Sequence, residues 1–344
     1  MREPARRLGE VVLALATTRH RLVGLAVLRV ALGATTVLTC LADYGDRRLL
    51  WGPHSYLTPD LARAATSGWP GAGSLFLLDD SSLSFEVLFH LVIVVSLAFT
   101  VRGGRVLTAA EAVLLWSLHN RNPDVLQGGD NLAQIVVLLL CCCTTDAYLA
   151  PGARARRQRL AAAPPRAGTL LHNAGAFLVA FQVCVVYLVA GYWKITGALW
   201  QDGTALYYIS RTPRFWTSDA AAALLAHPLL GPLLGTGLCY AITALELAFP
   251  FAALSARAWL RRANVLAAAL MHLGIAALMG LVCFGLVMVG ADAVCLRDAD
   301  YRSLARRLRA TTRPPESRHD PAADVLVRPA AGQEAVRGTR AARG

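Results

Sequence analysis

Long apolar runs, separated by short polar segments that carry arginine, make up most of the chain. Several of these runs reach the ~20 residues that a helix needs to cross the hydrocarbon core of a bilayer. The runs suited to single spans lie at about 22–42, 85–101, 106–118, 132–148, 170–192 and 236–254. The pattern therefore predicts an all-α fold, a polytopic transmembrane helical bundle.

The last apolar run, residues 264–296, is too long for one ordinary crossing. A straight helix of that length would extend about 50 Å at ~1.5 Å per residue, whereas the hydrocarbon core is ~30 Å thick. Gly280 and Gly285 favour a break within the run. We expect two helices here and about eight spans in all, with seven spans as the alternative if the run forms one tilted helix.

The arginines indicate how the chain is oriented and divided. Basic residues near membrane spans favour the cytoplasmic side, and they concentrate in the two terminal segments and in every second connection. We expect a basic cytoplasmic N-terminal segment at 1–21, a transmembrane domain at 22–297 and a disordered, cytoplasmic Arg/Ala/Pro-rich tail at 298–344. The protein would be a multi-pass plasma-membrane protein with the end of the 170–192 span on the non-cytoplasmic face.

Composition agrees with a membrane class and argues against a nucleic-acid partner. The 344 residues are 56% hydrophobic, with a mean hydropathy of +0.46. Only 16% are charged, against about 25% in soluble domains. The formal net charge of +12 arises from arginines in loops and tails, where they set orientation. The expected partner is the lipid bilayer, and no nucleic acid is expected.

Lys194 is the most informative single residue, because it is the only lysine among the basic residues and every other one is arginine. It directly follows Tyr192 and Trp193 at the end of an apolar run. Burial can favour the neutral form of an amine, so a lysine can act as a base where an arginine cannot. The alternative is a lysine that extends to the membrane boundary among interfacial aromatic residues, where Trp200 would also lie.

His119 and Asp130 are candidate catalytic partners of Lys194, because the predicted topology puts all three at the non-cytoplasmic rim. A lysine, a histidine and an aspartate at a shared rim are typical of acid/base sites. The competing interpretation is that intramembrane charges only tie helices together, for example Arg29 with Glu111 or Glu246. No metal is expected, because the sequence has no zinc-binding motif and its eight cysteines have no paired spacing.

Aromatic residues on both sides of Lys194 suit a flat, apolar ligand such as a quinone. The predicted ligand-binding residues are Tyr187, Tyr192, Trp200, Tyr207 and His272. The alternative for each aromatic residue is an interfacial belt, in which its ring lies at the level of the lipid headgroups.

Several motifs, in order along the chain, resemble those of one known family. They are LAVLRVALG at 25–33, NRNP at 120–123 with GGD at 128–130, YLVAGYWK at 187–194 with WQDGTA at 200–205, Glu246, and MHLGI at 271–275. Together they resemble the HTTM domain, which is the membrane domain of vitamin K-dependent gamma-glutamyl carboxylase and of bacterial SdpB-like proteins. The likeness covers roughly residues 22–296.

This resemblance implies a site for a reduced vitamin K or menaquinone-type quinone on the non-cytoplasmic side. In the carboxylase, the lysine that matches Lys194 deprotonates the reduced quinone, and the oxidised product then drives glutamate carboxylation. Asp130 stands where the animal carboxylase has a histidine, and only a short tail follows the matching region. We therefore expect quinone chemistry here ahead of carboxylation of a protein substrate.

Two other functions fit the same resemblance and composition. One is an SdpB-like factor of the bacterial inner membrane that assists maturation or export of a small secreted peptide. The other is a non-catalytic scaffold or transporter, in which the intramembrane polar residues join helices.

Overall fold

The computed structural model describes residues 16–66, 73–162, 167–212, 215 and 218–312. Residues 1–15 of the predicted basic N-terminal segment and residues 313–344 of the predicted tail lie outside this description. The described residues form helices joined by turns, with no strand among them. The all-α class is therefore confirmed for this part of the chain.

The helices that form on the apolar runs are α1 (Leu22–Ala42), α2 (Ser82–Arg102), α3 (Arg105–Arg121), α4 (Gly128–Leu140), α5 (Ala167–Thr196), α6 (Leu230–Leu254), α7 (Ala258–Met279) and α8 (Val282–Val294). Short helices occupy the connections at Arg47–Trp51, Pro59–Thr66, Ala153–Ala162, Ala198–Gln201, Ala205–Ile209 and Asp219–Ala226, with 3₁₀ turns at Leu75–Leu77 and Pro123–Val125. Among the described residues, five helices are long and apolar enough to cross a membrane, namely α1, α2, α5, α6 and α7.

The break predicted in the last apolar run is confirmed. The chain leaves α7 at Gly280, whose backbone has a φ of 70°, and re-enters helix at Val282. A positive φ of this kind is accessible to glycine at no steric cost. Gly285 lies inside α8, where a Cβ atom would come 2.9 Å from the carbonyl oxygen of His272. This glycine therefore serves close packing of α8 on α7, and the break is made by Gly280 alone.

Two predicted boundaries are wrong. The span predicted at 132–148 ends at Leu140, after which the chain turns, and the backbone N–H of Thr144 donates to His172 Nδ1 over 2.9 Å. The span predicted at 236–254 begins earlier, at Leu230. Pro232 does not interrupt it, because a proline in the first turn of a helix lacks only an N–H that would have no helical acceptor.

Close backbone contacts hold α1 against α8. A Cβ atom on Gly24 would come 2.5 Å from the carbonyl oxygen of Ala293, and one on Gly290 would come 2.4 Å from the Cβ atom of Ala31. Small residues of this kind let helices approach closely in membrane proteins, where packing replaces much of the hydrophobic driving force. Glycine at 24 and 290 therefore determines how the first and last of these helices pair.

The NRNP motif fastens the long segment between α1 and α2. Arg121 is buried, and its guanidinium donates to the carbonyl oxygen of Leu57 over 2.9 Å and to Ser55 Oγ over 2.8 Å. Asn122 donates to the carbonyl oxygen of Leu50 over 2.7 Å. The motif therefore has a structural role, since its donors satisfy carbonyl groups of the segment between α1 and α2.

The predicted tail is not irregular at its start. Residues Asp298–Thr312 form a helix, so the expectation of disorder is wrong for these residues. The Asp298 carboxylate accepts hydrogen bonds from the backbone N–H groups of Leu22 and Val23, over 3.2 and 3.0 Å. A carboxylate at a helix N-terminus satisfies donors that have no helical acceptor. The segment after α8 thus caps α1.

Candidate functional site

Helices α5 and α6 run antiparallel and in close contact, which brings Lys194 to Glu246. A Cβ atom on Gly191, one turn before Lys194, would come 2.9 Å from side-chain atoms of Leu247. Two turns before Lys194, the ring of Tyr187 stacks on Phe249 with centroids 3.8 Å apart and an angle of 10° between ring planes. These two contacts fix the register of the helices, so that Lys194 and Glu246 lie side by side.

The amine of Lys194 forms an ion pair with Glu246. Its Nζ atom lies 2.8 Å from Oε1 and 2.8 Å from Oε2 of the carboxylate. The two side chains are 18% and 8% exposed, respectively, so the pair is largely withdrawn from solvent. Lys194 therefore has a specific carboxylate partner inside the bundle and does not extend freely to the membrane boundary.

An indole ring covers one side of the amine. Lys194 Nζ lies 4.9 Å from the ring centroid of Trp200, within the distance of a cation–π interaction. Trp200 belongs to the short helix Ala198–Gln201, which follows directly after α5 ends. Gly197, whose backbone is extended, separates the two helices. An ammonium, a carboxylate and an aromatic surface therefore meet at the end of α5.

A buried polar network lies two turns earlier on α5. The hydroxyl of Tyr187 lies 2.9 Å from both carboxylate oxygens of Asp292 and 2.8 Å from Nε2 of His272. All three residues are at most 3% exposed. The network joins α5, α7 and α8, so it fixes the position of α5, the helix that carries Lys194.

His119 and Asp130 lie at a different place, a cavity of about 220 Å³ that we call the His119 cavity. The polar residues of its wall are His119, Asp130, Asp43, Thr35, Thr36, Thr39 and Gln127, and the remaining wall is mostly apolar. Neither Lys194 nor Glu246 lines it. The structure thus brings His119 and Asp130 together at one cavity, and it pairs Lys194 with a residue that is not part of that cavity.

Asp130 also has a structural role at the start of α4. Its carboxylate accepts a hydrogen bond from the backbone N–H of Gln127 over 2.8 Å, which completes a capping box. His119 is 8% exposed, and its Nδ1 atom has no hydrogen-bond partner among the described residues. The two residues therefore differ in their hydrogen bonds. One carboxylate oxygen of Asp130 accepts a hydrogen bond, whereas Nδ1 of His119 has none within the described residues.

The predicted ligand-binding residues separate into three environments. Tyr187 and His272 are buried in the network with Asp292. Trp200 faces the amine. Tyr192 and Tyr207 are 54% and 40% exposed, and the guanidinium of Arg211 lies 3.6 Å from the Tyr207 ring centroid. Trp200 is thus the only one of the five placed against the charged pair.

The structure does not pair Arg29 with Glu111 or Glu246, the two ion pairs that the sequence suggested as ties between helices. Arg29 is buried and donates to the carbonyl oxygen of Leu149. Glu111 instead accepts from Ser96 Oγ over 2.8 Å and lies 3.1 Å from Thr36 Oγ1. Arg29 also lies against Gly103, at the turn between α2 and α3, so it stabilises connections between helices.

Sequence reasoning missed the role of Glu246 and omitted Asp292 from the site. Both are carboxylates inside apolar helices, and such residues need partners. The sequence therefore signals that each carboxylate has a partner. It does not identify the partner, because the pairing depends on how far α5 is shifted along α6 and α8.

Within the described ranges, no three His, Cys, Asp or Glu side chains converge in a way that could hold a metal ion. No family model, curated protein or solved structure matches this chain.

Proposed function

We propose that this is an integral membrane protein that binds a reduced quinone at the Lys194–Glu246 pair, with Lys194 as the base. The observation that carries the proposal is the ammonium 2.8 Å from both oxygens of a largely buried carboxylate, with an indole ring 4.9 Å away. When bound, a reduced quinone supplies an aromatic hydroxyl and a flat ring. A polar pair beside an aromatic face is suited to such a molecule.

The ion pair needs one internal step before it can act as a base. Movement of a proton from Lys194 Nζ to the Glu246 carboxylate converts the charged pair into a neutral amine and a carboxylic acid. Exclusion of water favours this neutral pair, because burial disfavours charged forms. The neutral amine then accepts the proton of the bound hydroxyl, so that an O–H bond breaks and an N–H bond forms. The resulting ammonium stabilises the negative oxygen.

The test uses the purified full-length protein in aerated detergent solution, with reduced menaquinone as the substrate and dissolved oxygen as the electron acceptor. Turnover is the two-electron oxidation of the deprotonated quinone by oxygen, followed through its absorbance. We expect Lys194→Arg to keep the ion pair and the fold but to abolish turnover, since a guanidinium does not lose its proton in proteins. Glu246→Gln should also reduce turnover, because it removes the internal proton acceptor. Turnover by Lys194→Arg at the wild-type rate would contradict the role of Lys194.

We also propose eight crossings, with both termini and the helix Ala153–Ala162 on the cytoplasmic side. The arginine-rich connections between α2 and α3, between α4 and α5, and between α6 and α7 support this orientation. Helices α4 and α8 have 13 residues each, about 20 Å at ~1.5 Å per residue, so they would cross only together with their flanking turns. Single cysteines introduced at Gly45 and Gly152 should react with an impermeant thiol reagent from opposite sides, and labelling from the same side would refute this topology.

A second candidate function is a non-catalytic bundle in which the same polar groups serve as ties. It is favoured by the fact that Lys194 with Glu246, and Tyr187 with Asp292, each join different helices. Reduced quinone would then neither co-purify with the protein nor bind to it. Native mass spectrometry of gently extracted protein distinguishes the two, because a quinone adduct supports the quinone site and its absence supports the scaffold.

A further inference from the structure

The His119 cavity has a wall of unusual charge. Asp43 follows α1 directly and Asp130 begins α4, and both carboxylates line the cavity. Among the described residues, neither arginine nor lysine is part of the lining. Burial, together with the nearby carboxylate of Asp46, raises the pKa of Asp43 above its usual value. Burial thus disfavours the charged form of this carboxylate, and a cationic ligand in the cavity would favour it.

Two polar atoms in the wall have no partner within the described residues. They are Nδ1 of His119 and Oγ1 of Thr35, and their residues are 8% and 5% exposed. Neighbouring hydroxyls in the same wall are engaged, since Thr36 lies 3.1 Å from Glu111 and Thr39 lies 3.4 Å from the Cys283 sulfur. Buried polar atoms are rarely left without a hydrogen bond, so these two mark where a ligand would contribute one.

The rest of the wall is apolar and includes an indole ring. Trp51 is 2% exposed and lines the cavity together with leucine, valine and alanine side chains such as Leu115 and Val287. The volume of about 220 Å³ exceeds the roughly 150 Å³ that is enough to hold a benzene molecule. A bare ion would leave most of this space unfilled. An organic body that bears the positive charge would fill it.

We propose that the His119 cavity binds a small organic ammonium, with the cationic group between Asp43 and Asp130 and the apolar part against Trp51. A protonated primary amine carries three donors, which suits two carboxylates together with the free Nδ1 of His119 as acceptors. This site is independent of the proposed quinone chemistry, because neither Lys194 nor Glu246 lines it.

Two kinds of molecule carry such an ammonium group, a free amine and a lipid with an ethanolamine headgroup. Titration of the protein in maltoside micelles, with and without added phosphatidylethanolamine, distinguishes them. Competition between the lipid and a soluble amine assigns the site to a headgroup. Undiminished amine binding in the presence of the lipid assigns it to a free amine.

The experiment measures binding of 2-phenylethylammonium to the full-length protein by isothermal titration calorimetry. The comparison ligand is 2-phenylethanol, which has the same apolar body but no charge. We expect the ammonium to bind at least about tenfold more tightly than the alcohol, as hydrogen bonds to charged groups are stronger than neutral ones. Equal affinities, or no detectable binding of the ammonium, would overturn the proposal.

Two charge-removing variants and one control locate the site. Asp43→Asn and Asp130→Asn should each weaken ammonium binding about tenfold, and the amide oxygen that the second substitution introduces would remain able to cap α4. Asp124→Asn removes an exposed carboxylate that does not line the cavity, so affinity should be unchanged. Thermal unfolding midpoints check that all three variants are folded. If Asp124→Asn weakens binding as much as the other two, the ammonium responds to general surface charge and the proposed site is wrong.

Discussion

The buried network on α5 and the His119 cavity both contain a histidine and an aspartate, yet they differ in what their polar groups face. In the network, the Tyr187 hydroxyl lies within hydrogen-bond distance of both Asp292 and His272, although Nδ1 of His272 has no partner among the described residues. Nδ1 of His119 likewise has no partner within the described residues, but His119 lines a cavity of about 220 Å³ and His272 does not. A buried polar atom is rarely left without a hydrogen bond, and only the His119 cavity has room for a ligand to supply one, so the two regions have different roles.

The largest expected effect comes from breaking the network. Tyr187→Phe removes the hydroxyl that Asp292 and His272 share, and it leaves the Asp292 carboxylate buried without that donor. We expect a loss of about 3 kcal/mol in the free energy of unfolding, measured in detergent. Tyr240→Phe is the matched control, because it removes an exposed hydroxyl that donates to the carbonyl oxygen of Gln201, and it should cost well under about 1 kcal/mol. Equal costs would show that the network does not support the fold.

The Lys194–Glu246 ion pair has a structural role, because it joins α5 and α6, and a proposed chemical role. A double-mutant cycle separates the two. Lys194→Met leaves a largely buried carboxylate without its cation and should cost about 2 kcal/mol. Adding Glu246→Leu should restore most of this stability, because an apolar pair can replace a buried ion pair. Quinone turnover should stay lost in the double variant. If stability and turnover recovered together, the pair would be only a helix tie.

The smallest expected change in stability comes from two adjacent threonines. Thr36 has a hydroxyl with a hydrogen-bond partner, and Thr35 has one without a partner among the described residues. Thr36→Val removes a hydroxyl 3.1 Å from Glu111 and should cost about 1–2 kcal/mol in the free energy of unfolding. Thr35→Val removes a hydroxyl with no partner among the described residues, so it should change stability by less than about 0.5 kcal/mol. A larger cost for Thr35→Val than for Thr36→Val would contradict the description of the cavity wall.

A pH effect is expected from the carboxylate of Asp300, outside the helices that could cross the membrane. Burial acts to raise the pKa of Asp300, but hydrogen bonds from Arg261 and from the backbone of Arg297 outweigh it and hold the pKa below its usual value. A lowered carboxylate pKa contributes stability that is present above the unfolded value of ~3.9 and is lost as the pH falls through the folded value.

The matching measurement compares wild type with Asp300→Asn as the pH is lowered. The wild-type protein should be more stable than the variant at pH 6, and the difference in unfolding midpoint should shrink below about pH 4. A difference that stays constant down to pH 2 would mean that the Asp300 carboxylate is not the titrating group.

The sequence allowed the helices to be predicted better than the site, for a physical reason. Apolar runs and glycine breaks are local signals, so the division of residues 264–296 at Gly280 could be anticipated. The pairing of Lys194 with Glu246 is a contact between residues 52 positions apart, and it depends on the register that Gly191 and Phe249 impose. Topology placed Lys194, His119 and Asp130 on one predicted face of the membrane. A shared face does not imply a shared site, because a bundle presents several separate clefts at each end.

The most direct test of the central claim is the ionisation state of a bound aromatic hydroxyl. A redox-inert naphthol serves as the probe, since its neutral and deprotonated forms absorb at different wavelengths. Wild-type protein should bind it and shift it toward the deprotonated form at a pH below its own pKa, and Lys194→Met should remove that shift. If the naphthol stays neutral when bound to wild type, or shifts equally in Lys194→Met, then Lys194 does not act as the base.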